Sequence, residues 1–128
     1  MMVSSFTFLA LGVAAPGRAE ELTAGDIRAE IVGRRVRLLV PFGGEFPLEY
    51  RRDGTVEGDG EAVGLGRFLQ PKDRGRWWID GNRLCQRFTA WYDGRPMCFD
   101  LTRTGPDTLH WVRDNGQAGD ARLGSRVD

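Results

Sequence analysis

The apolar positions change period along this chain, and each change marks an element. Over 22–33, Ile27 and Ile31 recur four apart and so share one face of a short helix. Thr23 stands where an N-cap belongs, and Asp26 follows three residues later, a pairing in which each side chain serves the other's backbone N–H. Gly33 offers a left-handed residue to end the helix. A helix of about nine residues is not stable alone, so it has to pack on something.

After Gly33 the period falls to two. Val36, Leu38, Val40 and Phe42 alternate with Arg37, Leu39 and Pro41. Phe46, Leu48 and Tyr50 share a face of a second run, in which Pro47 predicts an edge position. Asp53-Gly54 is a hairpin signal, with a short strand over 55–58 behind it. Glycines at 58, 60, 64 and 66 predict a loop anchored by Phe68 and Leu69, and Pro71-Lys72-Asp73 predicts a turn. Further strands are predicted over 75–79, 84–91, 97–102, 108–113 and 118–123. Asp80-Gly81-Asn82, Asp93-Gly94, Gly105-Pro106-Asp107 and Asp114-Asn115-Gly116 separate them. Turn signals at such short, regular spacing belong to an antiparallel meander. The predicted class is mainly β, a small antiparallel β-barrel or meander of about eight strands with one short N-terminal helix. Closure would also remove exposed strand edges.

The first fifteen residues are apolar or small and carry no charge. An apolar run of about ten residues is too short to span a bilayer, which needs about 20. It matches the apolar core of a secretory signal. Gly17 and Ala19 supply the small residues for cleavage after Ala19, with Pro16 just before them. The expected organisation is a signal peptide over 1–19 and a single β domain over 20–128, placed in the periplasm or outside the cell. No lipobox cysteine is present. Taking 19 residues from 128 leaves about 109, a size at which a core is marginal and a covalent staple helps.

Eighteen basic and eighteen acidic residues balance to zero, and the sequence pI is about 6.6. Arginines alternate with carboxylates and form no block beyond the pairs Arg34-Arg35 and Arg51-Arg52. Nucleic-acid binders carry a clustered basic face, so nucleic acid is not an expected partner. Cys85 and Cys98 are too far apart for a C-x-x-C redox motif or a C-x-x-C-H haem site.

A two-residue Asp93-Gly94 loop sets Tyr92 opposite Arg95, Ala90 opposite Met97, Phe88 opposite Phe99 and Arg87 opposite Asp100. Leu84, Phe88, Ala90, Met97, Phe99 and Leu101 then share an apolar face, as a half-buried hairpin requires. In that register Cys98 faces Thr89, and Cys85 lies four residues further on, roughly 13 Å away at about 3.4 Å per residue. A disulfide needs Cα atoms within about 7 Å. Either the loop is longer and bulged or the thiols are free. An exported domain favours the bond, and a Cys85–Cys98 disulfide is the expectation.

Leu22-Thr23-Ala24-Gly25-Asp26-Ile27 with Gly33, Tyr50-Arg51-Arg52-Asp53-Gly54-Thr55-Val56-Glu57-Gly58, Gly75-Arg76-Trp77-Trp78-Ile79-Asp80-Gly81-Asn82-Arg83-Leu84-Cys85 and Met97-Cys98-Phe99 occur in an order that resembles uncharacterised small secreted proteobacterial proteins with a G-x-W…C…C core. The resemblance covers most of the chain after residue 20. Similar domains also look to be attached at the ends of some larger signalling proteins. It implies a calycin-like, lipocalin-like small β domain and no settled function. Arg34-Arg35 departs from the uncharged start that the resemblance implies after the helix glycine.

The chemistry of catalysis is thin. His110 is the single histidine, on a strand where alternation sets it opposite in face to Leu109 and Trp111. General-base, triad and zinc schemes need partners for it. Acidic pairs such as Glu57/Asp59 and Asp114/Asp120 read as turn and rim residues, and the glycines at 58–66 lack the ending of a phosphate loop. No cofactor or metal is expected, and the chain is not expected to be an enzyme.

Four tryptophans remain to be placed. Trp77 and Trp78 must face opposite sides of a strand, so one fills the core and the other lies outside. In the two-residue-loop register Trp91 shares the outer face with Arg87, and this pair is the candidate interaction surface, since exposed Trp beside Arg is hot-spot chemistry. The expected function is an exported binding or accessory module acting through protein–protein contact, with another envelope protein as partner. The alternative is a small hydrophobic-ligand carrier of calycin type.

Overall fold

The computed structural model describes residues 20–39, 45–60 and 71–127. The expected signal segment, Val40, Phe42 and the loop carrying Gly64, Gly66, Phe68 and Leu69 lie outside the described residues.

Eight strands wind up and down in sequence order: β2 Arg34–Leu39, β3 Glu45–Tyr50, β4 Thr55–Asp59, β5 Lys72–Asp80, β6 Arg83–Phe88, β7 Met97–Arg103, β8 Thr108–Arg113 and β9 Ala118–Arg126. Each pairs antiparallel with the next, and β9 returns to pair with β2, which closes the barrel. A two-residue strand β1, Glu20–Glu21, adds to Arg103 and Thr102 of β7 and was not predicted.

Helix α1, Ala24–Glu30, packs over one end of the barrel. The expected reciprocal cap is present: Thr23 N–H donates to Asp26 Oδ2 at 2.9 Å, and Asp26 N–H donates to Thr23 Oγ1 at 3.2 Å. Ala24 N–H donates to Asn82 Oδ1 at 3.0 Å, which ties the helix start to the β5–β6 turn. Ile27 and Ile31 are 0% and 1% exposed. Full burial of two such side chains is worth about 1.5–3 kcal/mol each, which is how so short a helix persists. Gly33 has φ +82° and its N–H donates to Tyr50 O at 2.6 Å, turning the chain from helix into β2. The two arginines after it are structural. Arg34 donates to Gly124 O through Nε and Nη2, and Arg35 forks onto Glu49 Oε1.

The structure corrects several expectations. Pro47 is not on an edge strand, because β3 lies between β2 and β4. It sits beside β2, beyond the stretch Leu48 to Tyr50 that pairs with β4, so it meets a local ladder end. Lys72 and Asp73 begin β5 rather than making a turn. The Asp93-Gly94 two-residue hairpin does not form. The β6–β7 ladder runs Arg83↔Asp100, Leu84↔Phe99, Cys85↔Cys98 and Gln86↔Met97, and β6 ends at Phe88. Arg83, not Arg87, therefore meets Asp100, with Nε 3.3 Å from Oδ1. The slip is an even number of residues, so Leu84, Phe88, Met97, Phe99 and Leu101 keep the inward face. Ala90 loses it and is exposed.

The cause of the slip lies on β5. Asp73, 6% exposed, accepts from the N–H groups of Ala90 and Trp91 at 2.8 Å each, which draws the chain away from ladder pairing. Trp91 then turns its ring onto Phe88 and Phe46, with centroids 5.0 and 5.5 Å away. Tyr92, Asp93 and Gly94 complete the reversal with left-handed φ of 57°, 56° and 67°. Two charge-assisted hydrogen bonds and a partly buried indole outweigh the local preference of Asp-Gly for a tight turn.

Candidate functional site

Strand β5 sends its two neighbouring tryptophans to opposite sides. Trp77 packs against the core and donates its Nε1–H to Arg51 O at 2.6 Å, while Trp78 stays outside, 38% exposed. Gly81 takes φ +60° in the turn to β6, and the register follows: Trp78 faces Cys85 and Arg76 faces Arg87. Cys85 in turn faces Cys98. Trp78, Cys85 and Cys98 thus form one row across three strands. The disulfide is formed, with Cα atoms 4.0 Å apart, the close spacing of a narrow antiparallel pair. Of the two alternatives, the longer loop is the one realised.

Most outward charges on this side of the barrel are matched. Arg35, Glu49, Arg51, Glu57 and Arg74 form a chain of ion pairs across β2 to β5, with contacts of 2.6 Å for Arg35–Glu49, 2.8 Å for Arg51–Glu49, 3.5 Å for Arg51–Glu57 and 2.7 Å for Arg74–Glu57. Glu49 and Glu57 face each other directly, and Arg51 bridges them. Arg76 and Arg87 break the pattern. They are directly opposed, both exposed, and neither side chain forms an ion pair or hydrogen bond among the described residues. The charge of Arg76 reaches Asp53 and, with that of Arg51, helps hold the Asp53 carboxyl below its ordinary range after its bonds to Thr55. Like charges directly opposed destabilise a sheet by roughly 0.2–1 kcal/mol. Two further arginine pairs are opposed across β2 and β9: Arg37 and Arg122 each have further interactions, and Arg34 of the pair Arg34–Arg126 donates to Gly124 O.

The interior is filled. Leu48, Val56, Leu84, Phe88, Met97 and Leu109 are each under 4% exposed. Two polar groups share the core: Tyr50 donates its hydroxyl to Gln86 Oε1 at 2.5 Å, and burial pushes the Tyr50 hydroxyl well above the ordinary tyrosine range. The internal cavities beside Gln86 hold about 30 and 60 Å³. A groove of about 650 Å³ lies outside, lined by Arg35, Glu49, Glu57, Asp73 and Arg74, whose charges are already matched to one another or to backbone N–H groups.

The residues expected to form the interaction surface separate. Arg87 is exposed on the outer face of β6, whereas Trp91 is partly buried at the barrel end and packs on the core. Trp78 takes the place beside Arg87 that the expected register gave to Trp91. The signal for it was available: counting outward from a two-residue Gly81-Asn82 turn sets Arg76 opposite Arg87 and Trp78 opposite Cys85. His110 faces outward and its Nδ1 lies 3.0 Å from Asp120 Oδ1. Thr102 stands opposite His110 on β7, but no hydrogen bond joins the two among the described residues, and none of the cavities above is lined by them. Among the described residues no group of three or more His, Cys, Asp or Glu is placed to hold a metal, and no helix is long and apolar enough to cross a membrane.

Comparison with protein-family models, curated proteins and solved structures finds no match for this chain.

Proposed function

We propose that the chain is an exported, non-catalytic binding module that acts by protein–protein contact with another envelope protein, and that it does so through the outer face of β5 and β6 around Trp78. One observation carries this reading: the exposed Trp78 stands on the same face as an opposed arginine pair, Arg76 and Arg87, whose side chains form no ion pair or hydrogen bond among the described residues. Trp and Arg are the residues that dominate binding energy at protein interfaces. A like-charge pair that weakens the free fold is retained most simply because a partner uses it. The Cys85–Cys98 bond fits an oxidising compartment and so supports export. The carrier alternative has less support, since cavities of about 30 and 60 Å³ fall far short of the roughly 300–1,000 Å³ of small-molecule sites.

A photo-crosslinking residue in place of Trp78, introduced in the native host, tests the proposal. A discrete protein adduct is expected from position 78 and none from position 110 on β8. No protein adduct, or equal adducts from both positions, overturns it.

A further inference from the structure

We infer that the partner segment received by this face is acidic, presenting two carboxylates roughly 5–7 Å apart; the inference rests on the contact reading above. Directly opposed residues hold their Cβ atoms about 4.5–5.5 Å apart, so Arg76 and Arg87 leave the sheet as neighbours; Arg76 leans toward Gly54, and its long side chain can swing back beside Arg87 when a carboxylate pair draws both. Two carboxylates match that spacing when they alternate on one face of an extended segment, about 6.7 Å apart, or stand four residues apart on a helix, about 5–6 Å apart. Each guanidinium can take its carboxylate through two parallel N–H bonds. The Trp78 indole, two residues from Arg76 on the same face, offers an apolar surface beside the pair.

The neighbourhood selects the kind of anion. Arg76 and Arg87 are enclosed by other outward charges: Asp53 at the β3–β4 turn, Arg74 with Glu57, Asp80 at the end of β5, and Arg83 with Asp100. A broad anionic surface laid over β5 and β6 would meet those carboxylates as well as the two arginines. A narrow polypeptide segment meets the arginines alone. The same count weighs against a nucleic-acid backbone, which needs an extended basic track.

The probe is an end-blocked octapeptide of glutamate–serine repeats, titrated at low salt into the disulfide-bonded protein and followed by the Trp78 indole N–H and the arginine Nε–H signals in NMR. Saturable shifts at Trp78, Arg76 and Arg87 are expected, with none from the same peptide carrying glutamine for glutamate. The double variant Arg76→Gln, Arg87→Gln should weaken binding about ten-fold or more, while Arg83→Gln, whose partner is Asp100, should leave it within about two-fold. Equal binding of the glutamine peptide, or binding unchanged in the double variant, overturns the inference. So does a response to inorganic phosphate or to phosphatidylglycerol vesicles without one to the peptide, and so does self-association through this face. A cross-link from position 78 that persists at full yield in the double variant leaves the contact reading standing and removes the acidic partner; absence of any protein cross-link removes the contact reading itself.

Discussion

Gly58 faces into the barrel beneath Trp91. A Cβ added there would stand 2.4 Å from Cζ3 and 2.9 Å from Cη2 of the indole, and 3.0 Å from Leu48 Cδ2. Contacts that short are not tolerated, so the ring must move. Its freedom is small: Phe46 and Phe88 flank it, and the backbone N–H of Trp91 is held by Asp73. Gly58 has no left-handed φ, so alanine meets no backbone penalty and gains about 0.4–1 kcal/mol by restricting the unfolded chain. Overpacking a closed site costs about 1–3 kcal/mol, and the net expectation for Gly58→Ala is a loss of about 1–2 kcal/mol. Each kcal/mol corresponds to roughly 4–8 °C in Tm for a domain near this size. Urea unfolding with the disulfide intact, followed by far-UV circular dichroism, measures the loss. The same substitution in a Trp91→Phe background supplies the control, because the colliding ring atoms are then gone. There Gly58→Ala should be neutral or slightly stabilising, giving a coupling energy of about 1–2 kcal/mol. An alanine as stable as glycine in the parent protein, or an equal loss in both backgrounds, refutes the placement of Trp91 inside the barrel.

Three further outcomes are expected. Thiol titration of the denatured, unreduced protein should find none, and replacing Cys85 and Cys98 by serine should lower stability by about 2–3 kcal/mol in chemical unfolding, for a bridge with a sequence separation of 13. Asp26 is held below the ordinary carboxylate value of 3.8 by the Thr23 N–H and then its hydroxyl, and Asp53 by the Thr55 hydroxyl and then its N–H. Their contribution is therefore present above that value and lost as pH falls through their folded pKa values; Asp26→Asn and Asp53→Asn should each flatten the fall in Tm measured below pH 4. Arg87→Glu should raise stability by about 0.2–1 kcal/mol in urea unfolding, since it turns an opposed like-charge pair into an opposite-charge one and leaves the attraction between Asp53 and Arg76 in place, and should abolish binding of the glutamate–serine peptide.

Much of the fold was legible because local signals and burial agree. The capping box at Thr23 and Asp26, the Ile27/Ile31 face and Gly33 each occur where the pattern set them. So do β8 and the turns at Gly54, Gly81 and Gly116, all three with positive φ. The failures share a cause. Asp73 read as a turn residue because carboxylates are rarely buried, yet its burial is what captures Ala90 and Trp91. Asp93-Gly94 has the composition of a tight hairpin, but a long-range bond from another strand decides the loop. Periodicity ranks faces within a strand and says nothing of a carboxylate supplied from elsewhere. For the candidate site, Arg87 was legible as an outward arginine. Its neighbour was misassigned because the hairpin with the disputed loop set the register, rather than the β5–β6 hairpin, whose Gly81-Asn82 turn is unambiguous.

The four tryptophans now divide by what lies opposite them. Trp91 stands over Gly58, and Trp111 over Gly119, where an added Cβ would approach Cζ2 to 2.7 Å. Trp77 reaches Arg51 O with its ring nitrogen. In each case the sequence provides a partner that makes an indole fit: a missing side chain, or an acceptor for the N–H. Pairing the largest side chain with the smallest across a barrel fills it at constant volume. Trp78 faces a disulfide instead, with two unmatched arginines beside it, and nothing within the described residues completes it. Along the row from Arg35 to Arg74 each charged group has an ion-pair partner within the chain, whereas the Arg76 and Arg87 side chains form no ion pair among the described residues, and it is beside them that the exposed Trp78 stands, which is the ground of the proposed contact face.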